Sequence, residues 1–331
     1  MSGKRKIGTV LVCCALALIL VAALVSLRSG RTGKVSPAGA PRKILCTTYP
    51  VYLLVREVAE GGPIRPELLL PPDTGCPHDY SLTPGDLMKL SGDGTLLIRN
   101  GLGLDDALWK TALAANPALR SVSLADGAAD VIHEDDDDEE EHEEHKHDAM
   151  CGHDHHHHDG EQGNGHLFAS PDTAAWMVEN AVRALAGFDP DNAALYEKNG
   201  KKLQSELAKL AGEFRTAGLK GRRIAVQHDI FAYLARLSGM EIEVSLHAEE
   251  SQSLSPALIA GICRKIREKK VTVLYAEPQY SRETAELIAR EAGIVYCVLD
   301  PCASGPADPE PGYYVKVMRE NLEKLGGGTG K

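Results

Sequence analysis

From residue 42 onward, short apolar runs typical of buried strands alternate with segments in which apolar residues recur every three or four positions, as in amphipathic helices. The pattern predicts strands at 42–50, 66–72, 94–100, 121–126, 222–229, 240–246, 271–278 and 294–301. It predicts helices at 51–60, 83–90, 105–116, 170–188, 190–218, 231–239, 255–270, 281–293 and 313–325. This alternation predicts an α/β protein with two parallel-sheet lobes joined by a long rigid helix.

The same pattern sets the predicted domain boundaries. We expect an N-terminal α/β lobe at 42–188, a linking helix at 189–218 and a C-terminal α/β lobe at 219–331. A linker rich in Gly, Ser, Pro and Ala precedes the first lobe at 29–41. A loop at 133–165 interrupts the first lobe and is expected to be disordered.

Residues 1–28 have the composition of a signal or membrane anchor. Three basic residues precede Ile7–Leu27, a run of 21 residues without a charge, which is long enough to span a bilayer. No small-residue cleavage site follows the run, so we expect export with a retained anchor, and a cleaved signal peptide is the alternative. Either reading places the body in the periplasm or at the outer face of the cytoplasmic membrane.

The interrupting loop contains a tract at 133–161 with nine histidines, fourteen acidic residues and one lysine. Its formal charge is −13, whereas the whole chain has −11, so the remainder is close to neutral at about +2. Neutral imidazoles among carboxylates bind borderline metals such as zinc. The tract is therefore predicted to be an auxiliary, weak metal-binding loop, through His133, His142, His145, His147, His153, His155, His156, His157 and His158.

Six cysteines lie outside the N-terminal apolar run, namely Cys46, Cys76, Cys151, Cys263, Cys297 and Cys302. No C-x-x-C pair is present, so a thiolate zinc knuckle is not predicted. An exported protein favours disulfides, but the pairing stays open. Cys151 lies inside the tract and is a candidate soft ligand there. No basic, aromatic-rich face is evident, so nucleic acid is not an expected partner.

Polar residues follow several predicted strands, where ligands bind in parallel α/β sheets. The candidates are His78, His166, His228, Glu277 and Asp300. Each taken alone is more typical of a capping or hydrogen-bonding residue. Three imidazoles with one oxygen ligand nevertheless suit tetrahedral zinc, and the hypothesis is that they converge in a cleft between the lobes. Asp229 is either a partner that orients His228 or the cap of the next helix.

Six motifs carry a family resemblance: PHDYSLTPGD (77–86), NGLGLDDALW (100–109), GHLFASPDTA (165–174), QHDIFAYL (227–234), AEPQYS (276–281) and LDP (299–301). Together they resemble the zinc/manganese solute-binding proteins of bacterial ABC importers, from about Arg42 to Leu325. The resemblance implies two α/β lobes joined by a long helix. Two motifs depart from the family pattern. Where family members usually have GLE-x-W, this chain has Gly-Leu-Asp-Asp followed by Trp109. Where they usually have an aromatic-rich turn after the second ligand, this chain has Leu-Phe-Ala-Ser-Pro.

The resemblance also implies the metal ligands, which fall on His78, His166, His228 and Asp300. Manganese-type members resemble one another in having glutamate at the third position, so His228 favours zinc. Glu277 is the alternative fourth ligand, and a tract histidine such as His158 is an alternative to His166. Cys76 and Cys302 flank two ligand regions, either as a disulfide or as thiols that raise affinity.

The implied function is capture of Zn2+ outside the cytoplasm and its delivery to an ABC permease with its ATPase, by a monomer. Affinity is expected to fall below about pH 6 as imidazoles protonate. The tract either scavenges metal or senses it. The alternatives are a manganese or other divalent-metal protein of the same family and a surface zinc buffer or adhesin. A zinc hydrolase is a further alternative, but H-E-x-x-H and G-x-S-x-G are absent, so the protein is not expected to be an enzyme.

Overall fold

The computed structural model describes residues 43–75, 77, 80–91, 94–133, 163–246 and 255–326. The strands are β1 Lys43–Cys46, β2 Glu67–Leu68, β3 Thr95–Arg99, β4 Arg120–Ser123, β5 Arg223–Val226, β6 Glu241–Ser245, β7 Val273–Ala276 and β8 Val295–Val298. The helices are α1 Tyr49–Ala59, α2 Pro84–Lys89, α3 Asp106–Ala115, α4 Pro171–Phe188, α5 Ala193–Arg215, α6 Ala232–Ser238, α7 Pro256–Glu268, α8 Arg282–Ala292 and α9 Tyr313–Gly326. Short 3₁₀ turns occupy Leu167–Ala169, Pro190–Asn192 and Asp229–Phe231.

The strands form two four-stranded sheets with the same topology. The first has the order β2-β1-β3-β4 and the second β6-β5-β7-β8, and all the pairs are parallel. In each sheet the strand order reverses between the two central strands, β1 and β3 or β5 and β7. Ligands bind beyond the carboxyl ends of strands at such a reversal. The predicted fold class, two parallel-sheet α/β lobes, is confirmed.

Some boundaries differ from the predicted ones, and the first strand illustrates the reason. The strand expected at 42–50 ends at Cys46, and α1 already begins at Tyr49 with Thr48 in extended backbone before it. Pro50 lies in the first turn of α1, where the fixed φ of proline suits a helix and its missing N–H costs nothing. The prediction assigned Tyr49 and Pro50 to the strand.

The two sheets are joined through one continuous hydrophobic core. Ile44 and Ile98 of the first sheet and Ile224 and Val273 of the second are almost fully buried members of the same cluster. The 23-residue helix α5 supplies further members of that cluster. Helix α5 packs so closely on α4 that a Cβ at Gly200 would lie 2.2 Å from Val182 Cγ2. A shared, densely packed core resists large relative movement of the lobes.

The loop at 302–312 ties the end of the second lobe to α1 of the first. Tyr49 donates its hydroxyl hydrogen bond to Pro306 O at 3.0 Å. Arg56 donates to Pro309 O and forms an ion pair with Asp308. The backbone N–H of Gly312 donates to the Glu57 carboxylate. These contacts hold the two lobes together on the side of α1.

Contacts divide the chain into two units, residues 1–41 and residues 42–331. The predicted anchor at 7–27 lies outside the described residues. Of the described helices, none combines the length and the hydrophobicity needed to cross a bilayer.

Candidate metal centre

His166 enters the site from the segment that follows the histidine tract. It immediately precedes the 3₁₀ turn at 167–169, and its side chain is buried with the residue only 2% exposed. Its Nδ1 lies 2.9 Å from Asn164 Oδ1, and its backbone N–H donates to the same oxygen at 2.9 Å. The ring is therefore held on one side by a fixed amide.

His228 follows the carboxyl end of β5, one of the two central strands of the second sheet. It is half-buried, and its ring meets that of His166 at right angles, with 4.6 Å between the ring centroids. Two nitrogens bound to one tetrahedral zinc ion at about 2.0–2.1 Å lie about 3.4 Å apart. The separation of the two rings is compatible with that arrangement, so this pair is the core of the candidate centre.

Glu277 follows β7, the strand that neighbours β5, and the residue is 2% exposed. Its backbone N–H donates to Gln227 Oε1 at 2.8 Å, and its Oε2 accepts from Gln279 at 2.5 Å. Gln227 thereby connects the ends of the two central strands directly beside His228. Asp229 begins the next 3₁₀ turn, and its backbone carbonyl accepts from Asn164 Nδ2 at 3.1 Å.

Asp300 lies beyond the end of β8 and is half-buried. Its Oδ1 accepts from the backbone N–H of Cys302 at 2.8 Å, while Asn321 holds its backbone through two hydrogen bonds. Burial raises the pKa of Asp300. Cys302 is a buried free thiol whose pKa is raised well above its ordinary value by burial and by the neighbouring carboxylates Asp300 and Glu320.

A second buried carboxylate organises the edge of the first sheet. Asp105 is fully buried and accepts from Thr47 Oγ1 at 2.6 Å, from Asn100 N at 2.6 Å and from Gly101 N at 3.0 Å. Thr47 follows β1, and Asn100 follows β3, so Asp105 links the ends of the two central strands. Burial raises the pKa of Asp105, although its hydrogen-bond donors and Arg99 act in the opposite direction.

The link continues toward the candidate centre through Asn100. Its side-chain Nδ2 donates to Gly165 O at 2.8 Å, next to His166. The edge of the first sheet thus supports the segment that contains His166, as Gln227 supports the segment that contains His228.

The motif that contains His78 is described only in part, and His78 itself lies outside the described residues. Its following helix, α2, begins with a side-chain cap: Asp86 N donates to Thr83 Oγ1, and the Asp86 carboxylate accepts from Thr83 N at 3.0 Å. The same carboxylate accepts from the hydroxyl of Tyr80 at 2.9 Å. The cap anchors the chain two residues after His78.

Acid should weaken this anchor. Burial alone would raise the pKa of Asp86, but its hydrogen bonds with Thr83, Tyr80 and Lys89 lower it overall. A lowered folded-state pKa stabilises the protein above the unfolded-state pKa of about 3.9, and that stability is lost as pH falls through the folded value. We expect Asp86→Asn to cost about 1–2 kcal/mol of unfolding free energy at pH 7, and this cost should shrink as pH falls below about 3.9.

Denaturant unfolding of the wild-type protein and of Asp86→Asn, at several pH values between 3 and 7, measures the difference in their free energies of unfolding. Asp73→Asn, at an exposed position of the preceding loop, is the matched control and should change stability little at any pH. A loss for Asp86→Asn that is the same at pH 7 and pH 3 would contradict the ionic cap.

Across the described ranges, no group of three or more His, Cys, Asp or Glu side chains is arranged to hold a metal ion. The structure brings His166 and His228 together, but Asp300 and Glu277 do not complete a three-residue cluster with them. Cys46, Cys263 and Cys297 are free thiols, as is Cys302. Cys76 and Cys151 lie outside the described residues.

Only the ends of the histidine-rich loop are described. His133 is exposed and forms an antiparallel bridge with Gly163, and Asn164, which the predicted loop includes, is 2% exposed. The segment at 163–165 is therefore packed against the protein. The other predicted weak ligands, His142, His145, His147, His153, His155, His156, His157 and His158, lie outside the described residues.

A family model described as "Zinc-uptake complex component A periplasmic" matches residues 44–328. The chain belongs to this family. The resemblance to zinc/manganese solute-binding proteins of ABC importers is thereby confirmed, and the family is one of solute-binding transport proteins rather than enzymes.

Comparison with individual proteins finds relatives of the same kind. The high-affinity zinc uptake system protein ZnuA of Bacillus subtilis strain 168 is 28% identical over 311 residues, which cover 90% of each chain. The manganese ABC transporter substrate-binding lipoprotein PsaA of Streptococcus pneumoniae serotype 4 is 25% identical over 342 residues, 99% of this chain and 100% of PsaA. A crystal structure of ZnuA shares the fold, with a TM-score of 0.67 and 22% identity over 88% of this chain and all of that one.

For this member of the ZnuA family, sequence reasoning missed three polar residues that hold the histidine pair in place, namely Asn100, Asn164 and Gln227. Each lies one or two residues from a segment end or from a predicted ligand, as in Asn164-Gly165-His166. An Asn two residues before a candidate ligand is a signal for a local side-chain turn. That signal could have identified Asn164.

Proposed function

We propose that this protein captures Zn2+ outside the cytoplasmic membrane and delivers it to the permease of an ABC importer for high-affinity zinc uptake. The observation that supports this most directly is the His166–His228 pair, with 4.6 Å between the ring centroids, at the end of a central strand. Two neutral imidazoles beside one another are a recurrent part of zinc sites. The membership of the chain in a zinc-uptake family also supports zinc as the ion that it captures.

The remaining ligands are assigned by resemblance. We infer that His78 provides the third imidazole and Asp300 the oxygen ligand, with Glu277 as the alternative. Burial that raises the pKa of Asp300 is consistent with a carboxylate that gains from a nearby cation. The variants Asp300→Asn and Glu277→Gln distinguish the two assignments, because zinc binding should weaken only when the residue that binds the ion is replaced.

Manganese is the competing cargo, favoured by the similarity to PsaA, a manganese transporter protein. Manganese prefers carboxylate and water ligands, whereas zinc prefers imidazole. The two described imidazoles therefore favour zinc over manganese.

Delivery requires a membrane permease and its ATPase, which are the proposed partners, and the protein is proposed to act as a monomer. We infer that the segment at 7–27 retains it at the outer face of the cytoplasmic membrane. The tract at 133–161 is proposed to hold several ions weakly and to raise the metal concentration near the centre.

The test is a zinc titration of the metal-free full chain beside a variant that lacks residues 133–161, with a chelator of known affinity and with manganese as competitor. We expect both proteins to retain one tight zinc site that equimolar manganese does not displace, and only the full chain to bind further zinc weakly. Loss of the tight site on deletion would place the zinc site in the tract. Displacement by manganese would favour the competing cargo.

A further inference from the structure

Asn164 is 2% exposed and forms five hydrogen bonds with its surroundings. Its backbone N–H donates to Ile132 O at 2.7 Å, and its backbone carbonyl accepts from the Tyr233 hydroxyl at 2.7 Å. Its side-chain Nδ2 donates to Asp229 O, while Oδ1 accepts from the backbone N–H of His166 and contacts the His166 ring. Both the backbone and the side chain are therefore fixed.

These bonds determine which way the amide points. The amino group of an asparagine can only donate, and a backbone carbonyl can only accept, so Nδ2 must face Asp229 O. The carbonyl oxygen Oδ1 must in turn face the backbone N–H of His166. The reverse orientation would place two acceptors together and two donors together.

The amide orientation then fixes the tautomer of His166. Its Nδ1 lies 2.9 Å from Asn164 Oδ1, an atom that can only accept, so Nδ1 must carry the hydrogen. In a neutral imidazole the hydrogen is then absent from Nε2, which has the lone pair that a metal ion needs. The hydrogen bond to Oδ1 also restricts rotation of the ring.

We propose that Asn164 is a positioning residue of the metal centre that holds His166 in the Nδ1–H tautomer and so presents Nε2 to the ion. This inference rests on the proposed function. A hydrogen-bonded neighbour of this kind typically raises metal affinity 10- to 100-fold by fixing the orientation and basicity of the ligand.

The same amide connects the two ligand segments. Asp229 directly follows His228, and Tyr233 lies on α6 of the second lobe, so Asn164 bonds to the second lobe at two points. It therefore fixes the His166 ring relative to the chain that contains His228. Substitution of Asn164 should therefore allow the distance between the two imidazoles to vary, and it should also release the His166 ring from the Nδ1–H tautomer.

The experiment uses the full chain and two readouts. In the metal-free protein, long-range ¹H–¹⁵N correlation spectra of the His166 ring report which nitrogen carries the hydrogen. Chelator competition gives the zinc Kd. Asn164→Ala should lose the strict Nδ1–H tautomer and raise the zinc Kd about 10- to 100-fold. Asn164→Asp keeps an acceptor for Nδ1–H and should restore the tautomer.

Asn180→Ala is the matched control, because Asn180 is 5% exposed and donates to Leu124 O and Asp126 O away from the centre. It should lower the melting temperature without changing the tautomer or the Kd. An Asn164→Ala protein with the wild-type tautomer and a Kd within twofold would overturn the inference while the proposed function stands. A wild-type protein without tight zinc binding would overturn the proposed function, and the metal-free spectra would still decide whether Asn164 orients the ring.

Discussion

Replacement of His228 by alanine should abolish the tight zinc site and raise the zinc Kd by more than about 100-fold. The reason is that a residue that only orients a ligand is worth about 10- to 100-fold, so removal of the ligand itself should cost more. His228 is half-buried at the end of β5, and its ring contacts that of His166. No other described imidazole adjoins His166 in place of His228, so the loss should not be compensated from the described part of the chain.

Chelator competition with the full chain measures the effect, and a thermal melt of each metal-free protein confirms that it is folded. His133→Ala is the matched control, because His133 is exposed at the start of the tract. It should leave the tight site unchanged. His228→Glu introduces the residue type found in manganese-type members. It should lower the affinity for zinc and reduce the preference for zinc over manganese. A His228→Ala protein with a Kd within threefold of wild type would exclude His228 as a ligand.

The second large effect is expected at Asp105, in stability rather than in binding. Asp105→Ala removes the acceptor of two backbone N–H groups and of the Thr47 hydroxyl, all buried, and leaves the guanidinium of Arg99 without its buried carboxylate. An unsatisfied buried donor costs about 1–3 kcal/mol, and three buried donors lose their acceptor here, while Arg99 keeps Asp106 as an ionic partner at 3.2 Å. We expect a loss of about 3–5 kcal/mol in the free energy of unfolding.

Denaturant unfolding at pH 7 measures this loss, with Asp106→Ala as the control. The Asp106 side chain is 45% exposed and pairs only with Arg99 among the described ion pairs, at 3.2 Å. Its removal should cost less than about 1 kcal/mol. Equal losses in the two variants would mean that the buried bonds of Asp105 do not stabilise the strand ends.

The fold could be predicted because its evidence is local. Apolar runs and helical periodicity in each half are sufficient for two parallel sheets. The start of α2, with Thr83 as its cap and Pro84 in the first turn, has a short sequence signature. The polar supports of the site could not be predicted in the same way. Asn100 and Gly165 are 65 residues apart, as are Asn164 and Asp229, so their hydrogen bonds exist only once these distant segments have been brought together by folding.

The candidate ligands are an intermediate case. His166 and His228 were named from motifs and strand ends, and the structure places their rings side by side. Strand ends alone did not distinguish them from Glu277 or Asp300, because every parallel strand ends in a polar turn at the same edge. Which of these side chains converge depends on side-chain direction and on the packing of one lobe against the other, which no local pattern specifies.

The attachment of the 302–312 loop to α1 has a consequence for the order of folding. Tyr49 and Pro306 are separated by 257 residues, and Glu57 and Gly312 by 255. Helix α1 is synthesised among the first elements of the body, yet its partners emerge almost last. Contacts of such long range slow folding, because the closure of a long loop costs entropy before the contacts repay it. The first lobe should therefore reach its final stability only after nearly the whole chain has been synthesised.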